Sequence, residues 1–247
     1  MTMIWLSAET QRRGERAENC VPTELLKQVI SGKRTDLQLL YLFFRLWARV
    51  SAAIYGGEGM NIPLMFMPTQ VIAPTLRAYG ATIGQRVRFR SPLVIHNSDS
   101  ERRRYYKQLE VGDDCYFGRE LFLDLQDRIV VEDHVTVSHR VMILTHTDAG
   151  TSPLKDETIP TSNAPVMIRS GAYIGANVTI LQGVEIGRSS IVGAGAVVTR
   201  SVPPGSVVVG VPARIIKSLR ESSARNIIPN EPTENGGYSV RKAEARE

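Results

Sequence analysis

The hydrophobic pattern in the second half of the chain repeats every six residues. Stepping by six from Ile168 meets Ile174, Ile180, Ile186, Val192 and Val198, each a β-branched aliphatic. The fourth residue after each is Ala172, Val178, Val184, Ser190, Ala196 and Val202 in turn, all small or β-branched. Glycine follows the aliphatic at Gly175, Gly187 and Gly193. A helix of about 3.6 residues per turn would scatter residues six apart around its circumference. A plain strand alternates every second residue and needs no recurrent glycine. The pattern instead predicts short strands that point inward twice and then turn a corner, where glycine or a polar residue accepts the bend. Three such sides close a triangular coil. Stacked about 4.8 Å apart, the coils hydrogen-bond to one another, with Ile168 beneath Ile186, Ile174 beneath Val192 and Ile180 beneath Val198.

Upstream the repeat is looser. Val111, Phe117 and Leu123 step by six, as do Val131, Val137 and Ile143, with a slip of two residues between the sets. Ile83, Phe89 and Ile95 make an earlier turn. The reading is an all-β chain with about five coils over residues 81–209. Residues 97–108 form a polar excursion, and "THTDAGTSPLKDETIPTSNAP" (145–165) forms a longer loop of the kind that usually carries function. Ahead of the coils, residues 1–36 read as polar and irregular. Residues 37–55 then form an amphipathic helix with Gln38, Arg45 and Arg49 along one stripe. A helix near 68–79, ending at Gly80, would cap the open end of the stack. After the coils, "PARIIKSLRE" predicts a short C-terminal capping helix, and the composition from Ser222 predicts a disordered tail. The organisation is thus 1–80 N-terminal segment and cap, 81–211 coils, and 212–247 capping helix and tail.

Composition changes this picture little. A net charge of +5 over 247 residues suits an anionic ligand but is too weak to imply nucleic acid, for which the chain carries no signature. Cys20 and Cys115 are far apart and in no metal-type spacing, which fits a reducing cytoplasm. The amino terminus lacks the basic start and apolar core of a secretory signal. Arg45 and Arg49 interrupt helix 37–55 short of the ~20 clean apolar residues of a membrane span. The helix therefore packs on the protein or lies on a membrane surface, the inner face if the latter. Arg86, Arg88, Arg90, Arg102, Arg103, Arg104 and Lys107 make a basic zone that would favour anionic lipid; otherwise they are a solvated face.

The run "YIGANVTILQGVEIGRSSIVGAGAVVTRSVPPGSVVVGVPARII" resembles the hexapeptide-repeat acyltransferases, the left-handed parallel β-helix family. Its nearest kin in type are the maltose, galactoside and nodulation-factor O-acetyltransferases and those of polysaccharide gene clusters. The resemblance covers roughly residues 81–217. It implies left-handed winding, against the usual right-handed crossover. It also implies acetyl-CoA as co-substrate, a carbohydrate acceptor, and a homotrimer with active sites between subunits.

His146, one of four histidines, is the candidate for chemistry. Counting inward positions at 143 and 147 puts it at a corner, facing out. On the residues alone it is equally a base or a solvated polar corner. The resemblance makes it the general base that takes the proton of an attacking hydroxyl. Asp148 or a backbone carbonyl would orient the ring. The same fold also carries zinc enzymes, but His134 and His139 lack the further histidine that pattern needs, because Leu144 stands there, and His96 has no partner; no metal is expected. By resemblance, Tyr173 would flank the pantetheine arm, and the Ala176 N–H would face the thioester oxygen. Ala194, Thr199 and Arg200 would line the lower arm, with Arg214 on the phosphates. Glu120 stands where sugar-specific relatives carry an acceptor-binding asparagine, and Asp124 and Asp127 fall out of step. The expected function is O-acetylation of a sugar hydroxyl in surface polysaccharide or lipopolysaccharide assembly. Its alternatives are N-acetylation of an amino sugar and a non-catalytic β-helix scaffold.

Overall fold

Strands of two to four residues have no stability alone, so the six-residue pattern forms structure only where each coil is paired above and below. The computed structural model describes residues 23–98, 104–155 and 158–219, with side chains from residue 36 onward. Three parallel sheets run along the stack. Sheet A holds β1 (Thr82–Ile83), β4 (Leu109–Val111), β7 (Ile129–Val131), β12 (Val166–Ile168) and β15 (Glu185–Ile186). Sheet B holds β2 (Arg88–Phe89), β5 (Tyr116–Phe117), β8 (Thr136–Val137), β13 (Tyr173–Ile174), β16 (Ile191–Val192) and β18 (Ser206–Val209). Sheet C holds β3 (Leu93–His96), β6 (Leu121–Asp124), β9 (Met142–Ile143), β14 (Thr179–Ile180) and β17 (Val197–Val198). Five full coils result, wound as a left-handed parallel β-helix.

The register matches the stepping pattern residue for residue. Ile83, Val111, Val131, Ile168 and Ile186 form one inward column. Phe89, Phe117, Val137, Ile174, Val192 and Val208 form the second. Ile95, Leu123, Ile143, Ile180 and Val198 form the third. All these side chains are buried, and Phe89 stacks on Phe117 at 4.4 Å between ring centroids. Between sheets A and B the corner residues Arg86, Asp114, His134, Gly171, Ser189 and Gly205 all take positive φ. From Asp114 onward their backbone N–H groups donate to the coil below, as in His134 N to Asp113 O at 2.9 Å. Glycine is therefore one solution at these corners, not a requirement.

Both ends of the stack are closed. Helix α1 (Thr23–Tyr55) is followed by a 3-10 turn (Gly57–Met60), α2 (Asn61–Phe66) and α3 (Thr69–Ala78). Helix α3 buries Val71, Ile72, Ala73, Thr75 and Leu76. Its Arg77 guanidinium donates to the carbonyls of Ile83 (2.9 Å) and Gly84, while Asn61 Oδ1 accepts from Ile95 N at 2.9 Å, satisfying strand-edge groups of the first coil. At the other end the expected C-terminal helix is absent. Arg214–Ser218 is a strand, β19, paired antiparallel to β18. All five of its residues are exposed, so a helix there would gain no buried face, whereas the strand satisfies the open edge of sheet B. Residues 23–36 are helical, not irregular. The amino-terminal 22 residues, Arg102, Arg103 and the tail from Ser222 lie outside the described residues.

The chain divides into compact units at Leu46/Trp47. The stretch Asp36–Tyr55, 20 residues of mean hydropathy 1.3, is by length and composition long and apolar enough to cross a membrane, despite Arg45 and Arg49.

Candidate functional site

Every interruption of the six-residue register falls at the corner between sheets C and A. The first follows His96, the second is Leu125–Arg128, and the third is the long loop after Ile143. Stacked in successive coils, these irregular corners build one wall. The long loop is not structureless at its base: β10 (His146–Thr147) pairs antiparallel with β11 (Ser162–Asn163), matching His146 to Asn163. Gln182 Nε2, one coil above, donates to Thr147 Oγ1 and Ser162 Oγ and holds this hairpin. Because the chain leaves the coil here, Thr145 is the buried residue and Thr147 is exposed, the reverse of a strict count from Ile143.

His146 lines an open cavity with Asn97, Gln126, Asp148, Thr161, Ser162 and Asn163. Its side chain is 26% exposed, and its Nδ1 lies 2.6 Å from Oδ2 of Asp124, which is fully buried. Asp124 Oδ2 also accepts from Thr145 N (2.8 Å), Thr145 Oγ1 (3.1 Å) and His146 N (3.1 Å). Its Oδ1 accepts from Asn97 Nδ2 (2.8 Å) and Gln126 N (3.3 Å). Burial alone would raise the Asp124 pKa. The hydrogen bonds from His146, Asn97 and the Thr145 backbone outweigh it and hold the carboxyl below its ordinary value. An ionised Asp124 only accepts, so Nδ1 of His146 carries the proton and Nε2 keeps the lone pair. The 3.4 Å approach of Asn97 Nδ2 to Nδ1 is then a donor beside a donor; the 2.6 Å contact decides the tautomer.

The ring is thus oriented by Asp124, not by Asp148. Asp148 Oδ1 instead accepts from Gly150 N (2.8 Å) and Thr161 Oγ1 (3.1 Å), with Lys155 at 3.6 Å, and so shapes the loop. Asp127, also out of step with the sugar-specific relatives, buttresses the site. It takes Asn163 Nδ2 at 2.7 Å and donates its N–H to Thr145 Oγ1 at 2.9 Å. The signal that would have found both aspartates is the two-residue slip itself, since it marks the corner where their coil departs from the repeat.

The other candidates divide by place. Thr199 and Arg200 sit at the C–A corner two coils above His146, about 10 Å along the stack, and both are exposed. Tyr173 is on sheet B, its hydroxyl accepting from Ser138 Oγ at 3.2 Å. Ala176 and Ala194 stack at the B–C corner, where Gly195 N donates to Ala176 O at 2.8 Å. Arg214 begins β19, beside sheet B, and its Nη1 donates to the Ala213 carbonyl. Sheet C separates this second group from His146 by a side of roughly 15 Å. One chain therefore does not bring Tyr173, Ala176, Ala194 and Arg214 to the base. Their surroundings nonetheless fit a thioester oxygen: Gly175 N and Asn177 N both donate within the coils, whereas among the described residues no acceptor takes the Ala176 N–H.

The remaining histidines are apart from this site and from each other. His134 Nδ1 lies 3.8 Å from Asp114 Oδ2, at the A–B corner. His139 Nδ1 accepts from Arg119 N at 2.9 Å, at the B–C corner. His96 Nδ1 is 3.4 Å from Glu58. Glu120 is engaged by Arg140 at 2.6 Å, and Arg86 of the basic zone by Asp114 at 2.5 Å.

Comparison with known proteins agrees with this architecture. Residues 165–200 match the bacterial transferase hexapeptide (six repeats) family. A 62-residue stretch is 52% identical to 2,3,4,5-tetrahydropyridine-2,6-dicarboxylate N-acetyltransferase of Staphylococcus aureus, covering 25% of this chain and 26% of that protein. The match thus spans about a quarter of these curated relatives. A hexapeptide-repeat-containing acetyltransferase from Vibrio cholerae, solved with acetyl coenzyme A, superposes with a TM-score of 0.57 at 25% identity, covering 68% of this chain and 88% of that one. A galactoside acetyltransferase in complex with coenzyme A gives 0.51 at 20% identity, covering 83% and 90%. The repeat, the register and these likenesses agree on one fold, a left-handed parallel β-helix built from six-residue repeats, which this chain shares with those solved acetyltransferases.

Proposed function

We propose that the chain is an acetyl-CoA-dependent O-acetyltransferase acting on a sugar hydroxyl. The observation that carries this is the 2.6 Å contact of His146 Nδ1 with buried Asp124, which leaves Nε2 as a base beside a polar cavity whose one other charged lining residue is Asp148. Asn97, Gln126, Thr161, Ser162 and Asn163 offer both donors and acceptors, the chemistry that matches a polyhydroxylated acceptor. Acetyl-CoA supplies the activated acyl group. His146 Nε2 accepts the hydroxyl proton as the oxygen attacks, Asp124 stabilises the imidazolium so formed, and the proton then passes to the departing thiolate.

Because the Ala176 N–H and Arg214 stand across sheet C from His146, the working site needs a second copy of the chain. A homotrimer that sets the B–C corner of one subunit against the C–A corner of the next would join them. Coenzyme A would then lie along Tyr173, Ala176, Ala194, Thr199, Arg200 and Arg214, where the arginines give charge-assisted bonds to phosphate. A cytoplasmic role in surface polysaccharide or lipopolysaccharide assembly suits such an acceptor, and Cys115, a free buried thiol, suits a reducing compartment.

The similarity to an N-acetyltransferase over 62 residues supports a second reading, with an amino-sugar nitrogen as nucleophile. Incubation with acetyl-CoA and matched hydroxyl and amino sugars separates the two. An acetylated product cleaved by hydroxylamine is an ester and supports the first reading; a resistant product is an amide and supports the second. No acetylated product, with no coenzyme A binding, would leave the scaffold reading.

A further inference from the structure

A helix on the surface of a water-soluble body ordinarily shows polar residues to solvent. Helix α1 does not. Within the first unit Leu39, Leu42, Phe43 and Leu46 are exposed, Leu46 by 62%. Within the second, Val50, Ile54 and Tyr55 are exposed, together with Ile62, Met65 and Phe66 of α2, Phe66 by 68%. Within the second unit Trp47 and Phe66 stack with 6.3 Å between centroids, which joins α2 to the last turns of this helix in one apolar surface. The side of the helix buried in this unit is narrow. It consists of Ala48 and Ser51, and Gly59 approaches so closely that an added Cβ would collide with the Ser51 carbonyl.

The charges on this stretch have one sign. Between Asp36 and Glu58 there is no carboxylate, and the only charged side chains at neutral pH are Arg45 and Arg49. Helical spacing puts both arginines along one edge of the arc carrying Leu39, Leu42, Leu46 and Val50. A second copy of the chain would bring a second exposed Arg49 to this surface, and no carboxylate from residues 37–57. A helix crossing the bilayer would carry both arginines into its middle, whereas a helix lying flat keeps them at the headgroups.

We propose that the outward face of α2 and of the last turns of α1, from Trp47 to Tyr55, docks on the surface of a membrane carrying anionic lipid, with Arg49 against the headgroups. The inference stands independently of the acetyl-transfer reading. Flotation of the full chain with vesicles of equal parts phosphatidylcholine and phosphatidylglycerol tests it. The chain should float with these vesicles and at least about tenfold less with phosphatidylcholine alone. Phe66→Glu should abolish flotation, and Arg49→Glu should weaken it by about tenfold or more, each with an unchanged far-ultraviolet circular dichroism spectrum. Should Phe66→Glu fold poorly, Arg49→Glu at its exposed position decides alone. A chain that stays unbound, or an Arg49→Glu variant that floats as well as the parent, overturns the proposal. So does a concentration-dependent dimer in sedimentation that Phe66→Glu removes.

Discussion

Asp124→Asn separates the charge of the His146 partner from its shape. Oδ2 accepts four donors, from Thr145 N, Thr145 Oγ1, His146 N and His146 Nδ1, whereas Oδ1 accepts two, from Asn97 Nδ2 and Gln126 N. The asparagine oxygen will therefore take the Oδ2 place. Its amide nitrogen then faces Asn97, which can turn its own oxygen toward it, and Gln126 N, whose long 3.3 Å bond is lost. The histidine keeps its tautomer and orientation but loses the carboxylate that stabilises its charged form. A hydrogen bond to an ionised acceptor contributes about 1.5–3 kcal/mol, against about 0.5–1.5 for a neutral one. The transition state should lose roughly 1–2 kcal/mol, so kcat should fall about five- to thirtyfold, with KM for acetyl-CoA unchanged. Asp124→Ala, by contrast, would leave five donors without their acceptor, Thr145 Oγ1 keeping its 2.8 Å bond to the residue 124 carbonyl, and is expected to cost far more in stability. Steady-state release of free coenzyme A by the purified chain measures the effect. If kcat for Asp124→Asn stays within twofold of the parent while Asp124→Ala merely unfolds, Asp124 is a structural buttress and the dyad assignment is wrong.

Two further predictions concern the stack. An added Cβ at Gly118 would lie 2.6 Å from the Ser138 carbonyl carbon and 2.7 Å from His139 N, both backbone, while one at Gly195 meets nothing within 4 Å. Gly118→Ala should therefore cost about 1–3 kcal/mol, and Gly195→Ala only the strain of its positive φ, about 1 kcal/mol, compared by thermal melting. Glu132 is held at a pKa of about 2 by hydrogen bonds from Arg169 and Ser170 that bridge the coils across the long loop. Its folded value is depressed from 4.5, so its contribution is fully present above about 4.5 and lost as pH falls from there toward 2. With Arg169 about one-third exposed, roughly 1–2 kcal/mol is expected after solvent screening. The melting difference between the parent and Glu132→Gln should shrink across that window, and a difference independent of pH would refute the linkage.

The columns of the core were legible because the pattern that builds them is strictly local. Each aliphatic six residues from the last occupies the same place in the next strand, so Ile168 under Ile186 and Ile174 under Val192 follows from counting, whereas Val131 under Ile168, across the long loop, does not. The C-terminal segment was misread for the opposite reason. "PARIIKSLRE" has helix-forming residues, but the unpaired edge of β18, invisible in local sequence, draws Arg214–Ser218 into a strand. The site fell between these cases. His146 stood out by its residue type, and its partner did not, because Asp124 reaches it across 22 residues and a break in the register. Matching that coil to the sugar-specific relatives put Asp124 out of step with their acceptor-binding residues. Reading all three breaks as one corner places Asn97, Asp124, Gln126 and His146 together.

The central claim is that His146 acts as the base while coenzyme A is held by other residues. It is tested most directly by measuring acetyl-CoA binding and acetyl transfer on the same preparation of His146→Ala. The account predicts acetyl-CoA affinity within about threefold of the parent and a turnover reduced about 10²–10⁴-fold. Undiminished transfer by His146→Ala would contradict it.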